Sequence, residues 1–111
     1  MYKFIFIITL IATFASVKAN TAPTDKFKVA SVEYNPQFMQ FKQNLPTISA
    51  VVTDAAKHGA KLIVLPETAT SGYIYKDRAQ IAPFLDTIPG ATTQMLAKIA
   101  KQYGVFIAIG I

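Results

Sequence analysis

Two short stretches of this chain are apolar at every position: residues 62–65 read LIVL and residues 105–109 read VFIAI. A strand with one wet face alternates, so strands apolar on successive residues belong to a parallel sheet covered on both sides. Parallel neighbours cannot be joined by a tight turn and need crossovers of a dozen residues or more, usually helices. The segments between the runs have that form. Phe41, Leu45, Ile48, Val52 and Ala55 recur at spacings of four, three, four and three, which places them on one side of a helix. Leu96, Ile99 and Tyr103 do the same in a second helix expected over residues 92–103. Ahead of both, residues 27–34 alternate around Val29 and Val32 and predict a first strand, ended by Asn35 and Pro36. The order is strand, helix, strand, helix, strand, and the fold class is α/β.

The punctuation fits this order. Pro46 lacks an amide hydrogen, so the regular part of the first helix is expected to start close to it, with Phe38 and Phe41 packing from the lead-in turn. Gly59 stops that helix, and Gly104 stops the second. Pro66 ends the strand at residues 61–65, Pro89-Gly90 forms a turn, and Thr92 or Thr93 can cap the helix that follows. Between them Ser71, Gly72 and Tyr73 make a turn-like tip, while Lys76, Asp77 and Arg78 lie near the surface.

Right-handed crossovers between strands in sequence order put both helices on the same face of the sheet. The other face then has no cover, although the inner strands are apolar on both sides. Two resolutions are open. The strand order can differ, with one helix on each face and a homodimer completing the layers. Alternatively, residues 27–111 are a truncated domain and the cover comes from sequence beyond Ile111, which is the expectation adopted.

Residues 1–19 read as an export signal. Lys3 gives a short basic start, residues 4–15 form an apolar run of signal-sequence length, and Val17 and Ala19 place small side chains before the cleavage point. The run is too short to cross a bilayer core of about 30 Å, so no stable membrane anchor is expected. Cleavage leaves a polar leader at residues 20–26 and an exported product, periplasmic or secreted. It also removes Lys3 and Lys18, lowering the formal charge from +5 to +3. That excess is dispersed along the chain without interleaved aromatics, which argues against nucleic acid as a partner. The absence of cysteine excludes disulfide stapling and lipid attachment at a cysteine.

One constellation has chemical content: residues 62–73, LIVLPETATSGY. Glu67 follows a buried strand by two positions, and an open α/β sheet places its crevice at the carboxyl ends of its strands. A carboxylate partly shielded there by apolar neighbours is a possible proton acceptor; a helix cap or a solvated turn residue is the structural alternative. Tyr73 could line the pocket or orient the loop after Glu67, or simply plug the strand ends. Gly72 permits the turn. His58, the single histidine, sits in the last turn of the first helix near its negative end, a better explanation than catalysis or metal binding. No metal or nucleotide cofactor signal is present.

LIVLPETATSGY, with KVASVEYN ahead of it and IPGATTQMLAKIAKQYGVFIAIG behind it, resembles the front part of the carbon-nitrogen hydrolase family, the nitrilase superfamily. The resemblance covers residues 27–111. It implies a four-layer α-β-β-α sandwich of which this chain supplies the amino-terminal portion, a homodimer when complete, and a catalytic set of glutamate, lysine and cysteine. Glu67 corresponds to the glutamate that takes the cysteine's proton; the thiolate then attacks an amide or nitrile carbon, and lysine stabilises the charge that develops. The chain departs from that pattern by having no cysteine and no lysine at the family position, Lys76, Lys98 and Lys101 included. Two readings follow. The chain is the start of an exported hydrolase of small amides or nitriles, completed by the missing carboxyl-terminal half of the domain, or it is an inactive secreted fragment or small binding or packing module.

Overall fold

The computed structural model describes residues 26–111, so the export signal expected at residues 1–19 and all of the expected leader except Lys26 lie outside the described residues. Three strands, β1 (Lys28–Ser31), β2 (Ala60–Val64) and β3 (Phe106–Ala108), pair in parallel in the order β1-β2-β3. Helix α1 (Phe41–Lys57) makes the first crossover. The second contains the short α2 (Arg78–Ile81), a 3-10 turn over Ala82–Phe84, and α3 (Ala91–Tyr103). β1 and β3 are shorter than the expected segments, while β2 has the expected length and begins one residue earlier. Pairing continues past them through Val32 N–H to the Val64 carbonyl at 2.8 Å and Leu65 N–H to the Ala108 carbonyl at 2.9 Å.

The register makes the two faces unlike. Ala30, Ile63 and Ile107 stand side by side in one row of the sheet. Ile63 is fully buried there, in one core with Ile48, Val52 and Ala56 of α1 and Leu96 and Ile99 of α3. Both long helices therefore lie on this face, as same-handed crossovers between sequential strands require. Each fully buried Ile or Val contributes about 1.5–3 kcal/mol relative to leaving it in water. The adjacent row, Val29, Leu62 and Phe106, points the other way. Val29 is 52% exposed and Phe106 77% exposed. Val64, next along β2, is also exposed, and so is Phe27 beside β1. The alternative with one helix on each face does not hold in this chain.

Two helix starts differ from expectation. Helix α1 begins at Phe41 and carries Pro46 inside it. The first turn is instead anchored by Asn44, 2% exposed, whose Oδ1 accepts the Gln37 N–H at 2.9 Å. Its Nδ2 donates to the carbonyls of Gln37 at 2.8 Å and Thr70 at 3.0 Å. These bonds lie one turn ahead of the proline, whose missing amide removes one helical bond rather than the turn before it. Helix α3 starts at Ala91, and its capping is shared. Thr93 Oγ1 accepts the Gly90 N–H at 2.8 Å, as a capping threonine can. The exposed first amides are taken by Asp86, whose carboxylate accepts from Thr92 at 2.7 Å, Thr87 at 2.8 Å and Ala91 at 3.3 Å. The Thr92 hydroxyl is buried and caps nothing. Gly59 and Gly104 take left-handed φ values of 88° and 61° at the two helix ends, as expected. Among the described residues no helix is long and apolar enough to cross a membrane.

Candidate active site

Glu67 lies beyond the carboxyl end of β2, where the crossover geometry leaves the strand ends free of helix. Its backbone is held from one side by the chain that continues β3. Gly110 N–H donates to the Pro66 carbonyl at 3.4 Å, and Ala69 N–H donates to the Gly110 carbonyl at 3.1 Å. Pro66 ends the strand, and Thr68 turns the chain with φ 51°. The turn closes through the amides of Ser71 and Gly72, which reach the Thr68 carbonyl at 3.2 and 2.8 Å. Residues 69–72 are all buried, which is unusual for a loop and requires partners for its backbone. Asn44 takes the Thr70 carbonyl, and Met39 N–H donates to the Ser71 carbonyl at 2.9 Å.

Gly72 is required twice over. Its φ is 79°, and a Cβ there would stand 3.2 Å from Phe38 Cα, so the loops after β1 and β2 could not meet as closely with a larger residue. Tyr73 then returns towards the strand end and donates its hydroxyl to Glu67 Oε2 at 3.2 Å. The next residue, Ile74, is β-branched, has φ 72° and is 93% exposed. A non-glycine residue in that conformation costs about 1–3 kcal/mol, and at Thr68 the bonds from the Ser71 and Gly72 amides hold it there.

The sequence-predicted residues Glu67, Gly72 and Tyr73 thus form one unit. His58 does not join it: α1 ends there, next to the start of β2, at the opposite end of the sheet. Its Nδ1 lies 2.9 Å from the Asp54 carbonyl and 3.4 Å from the Asp54 carboxylate. The apolar shielding expected around Glu67 is not supplied by the described residues, because Glu67 is exposed at the rim of the sheet. Among them no cation lies within 4 Å of its carboxylate. A cleft of about 510 Å³ runs from Ser31 and Tyr34 to Val64 and Pro66 and stops short of Glu67. Burial raises the pKa of the Tyr34 phenol beside this cleft. Among the described residues no group of three or more His, Cys, Asp or Glu is placed to hold a metal ion.

Sequence reasoning missed Gly110, Asn44 and the role of Asp86. Gly110 ends an apolar run and reads as a simple strand stop, while Asn44 falls among polar helix positions; neither pattern reveals a contact across the fold. The start of α2 was legible in principle. Asp77 accepts the Gln80 N–H at 2.9 Å, and Gln80 Oε1 accepts the Lys76 N–H at 2.6 Å, a variant of the capping box spelled by Asp77 and Gln80.

A parallel α/β unit with a carboxylate just past a central strand defines a class of proteins whose chemistry sits at the strand ends. Within that class, residues 28–111 match the carbon-nitrogen hydrolase family, and the chain belongs to it. It is 37% identical over 84 residues to a nitrilase of Pyrococcus abyssi, covering 75% of this chain and 32% of that protein. It is 34% identical over 88 residues to omega-amidase NIT2 of Danio rerio, covering 77% of this chain and 29% of that protein. Identity to omega-amidase NIT2 of Mus musculus is 29% over 84 residues, covering 76% of this chain and 29% of that protein. The chain therefore spans about 30% of the length of the curated relatives it matches.

Proposed function

We propose that residues 26–111 are the amino-terminal part of a hydrolase of non-peptide carbon-nitrogen bonds, with Glu67 as its general base. The observation that carries this reading is the Glu67–Tyr73 pair at the carboxyl end of β2, closed at 3.2 Å across a loop whose residues 69–72 are buried and whose turn residue Thr68 is strained. Such rigidity is poorly explained for a solvated turn and well explained for a carboxylate that must meet a proton at a fixed place. In the proposed reaction Glu67 accepts the proton of a cysteine thiol. The thiolate adds to an amide carbon, a lysine stabilises the negative charge that develops, and ammonia or an amine departs to leave a thioester. From a nitrile the addition gives a thioimidate, which takes up one water before ammonia departs and the same thioester is left. Water then releases the acid from the thioester.

The cysteine belongs to the remainder of the domain, since residues 1–111 contain none, and the family resemblance assigns the lysine there too, because none of Lys76, Lys98 and Lys101 falls at its position. The relatives' names, nitrilase and omega-amidase, support a small nitrile or amide as substrate without choosing between them. Export through residues 1–19 to the periplasm or exterior, and a homodimer of the complete domain, are parts of the same proposal. The absence of cysteine also supports a second reading, in which the chain by itself is an inactive fragment or packing module.

In the complete enzyme, Glu67→Gln should retain the fold and lower turnover by roughly 10²–10⁴, because an amide is no comparable base. Stopped-flow measurement of thioester formation locates the loss. Turnover close to that of the parent in a folded Glu67→Gln protein would return Glu67 to a structural role.

A further inference from the structure

We propose that Gly110 is a positioning residue for the Glu67 carboxylate; this rests on the reading of Glu67 as the base. An ideal Cβ built at residue 110 lies 2.7 Å from Glu67 Cα and 3.0 Å from Thr68 N, nearer to the former than real Cβ atoms come. The atoms it meets are backbone, which cannot swing aside as the end of a side chain can. Gly110 does not have the positive φ of Gly59, Gly72 and Gly104. The requirement is therefore close approach rather than torsional freedom.

This approach occurs at the residue that carries the carboxylate. The bonds from Gly110 N–H to Pro66 and from Ala69 N–H to Gly110 bracket Glu67 on either side, so the β3 continuation lies flat along residues 66–69. A side chain at 110 would lift that stretch and turn Glu67 away from the Tyr73 hydroxyl. Most of the buried core, including Ile48, Val52, Ile63, Leu96 and Ile99, lies away from this contact, and Ala69 is the one residue of the 66–69 stretch that belongs to the core. The inferred role is thus specific: Gly110 contacts no substrate and acts through Glu67.

The test is Gly110→Ala in the complete enzyme, alone and combined with Glu67→Gln. Displacing a catalytic group by about 1 Å lowers turnover roughly 10²-fold, so kcat should fall by about that factor with KM changed by less than about threefold. The two substitutions should be non-additive, Gly110→Ala having little further effect once the carboxylate is gone. Independently of activity, NMR of the parent should show cross-relaxation between the α-protons of Gly110 and Glu67 and between the Glu67 side chain and the Tyr73 ring. Gly110→Ala should lose the second signal while keeping the parent's melting temperature within a few degrees. Additive effects, an unchanged kcat, or persistence of the Glu67–Tyr73 signal in the variant would overturn the inference. An unfolded variant would overturn it too, by making the glycine a requirement of the fold. If Glu67→Gln is active while Gly110→Ala still breaks the Glu67–Tyr73 contact, the base assignment fails and the geometric coupling stands.

Discussion

The two faces of the sheet are built from the same kinds of residue and meet different surroundings. On one, Ile63 is fully buried beneath α1 and α3; on the other, its neighbour Val64 is 37% exposed and Phe106 is 77% exposed. Successive residues of one strand thus separate a closed core from an open apolar surface. Hydrophobicity alone does not define a core here, because a second layer is needed and residues 26–111 supply it on one side only. The end that carries the proposed base repeats the asymmetry. Tyr73 holds Glu67 from within this segment, while the nucleophile and the cation for the proposed chemistry have to come from elsewhere.

The largest separation of the faces is expected from shortening side chains on β2. Ile63→Ala should destabilise by about 2–5 kcal/mol wherever the chain is folded, read as a shift of the urea unfolding midpoint. Val64→Ala should have little effect while its face is open. In the complete domain, where we propose that another layer covers this face, the same change removes buried methyl groups and should cost about 1.5 kcal/mol at about 0.8 per methyl. An Ile63→Ala effect confined to the complete domain, or a Val64→Ala effect equal in both settings, would break the distinction.

A smaller effect tests how the helical layer is fastened. Asp86→Ala removes the acceptor for the first amides of α3 and should destabilise by about 1 kcal/mol, the usual size of a lost cap. Burial pushes the Asp86 carboxyl up, but the amides of Thr92, Thr87 and Ala91 outweigh it and hold the pKa below its ordinary 3.8. The carboxylate's contribution is therefore fully present above the unfolded value, and it is lost as the pH falls through the lower folded one. The stability difference between parent and Asp86→Ala should accordingly shrink in acid below about pH 3.8. A difference that does not change between neutral and acid pH would contradict the capping role.

Once the strands are taken in sequence order, the helix faces and the uncovered side follow from local periodicity and the hand of parallel crossovers and were legible in the sequence; the order itself was not, since another arrangement stayed open. Glu67 and Tyr73 were legible as candidates because Pro66 and Gly72 punctuate the loop between them. Their hydrogen bond was not, since the loop between them turns at Thr68 through a left-handed conformation that its type disfavours. The start of α1 was misplaced for a similar reason. Pro46 acts locally and is visible in sequence, whereas Asn44 acts on Thr70, 26 residues away. Gly110 against Glu67 is the extreme case, two backbones brought together by strand pairing alone.

Sedimentation velocity on residues 20–111, compared with a Val29→Thr, Val64→Thr, Phe106→Thr variant, tests the central asymmetry most directly. An open apolar sheet face favours association. The account predicts that the parent self-associates with rising concentration and that the variant stays monomeric while retaining its helical circular dichroism. A parent that remains a discrete monomer, with cooperative amide protection in all three strands, would contradict it.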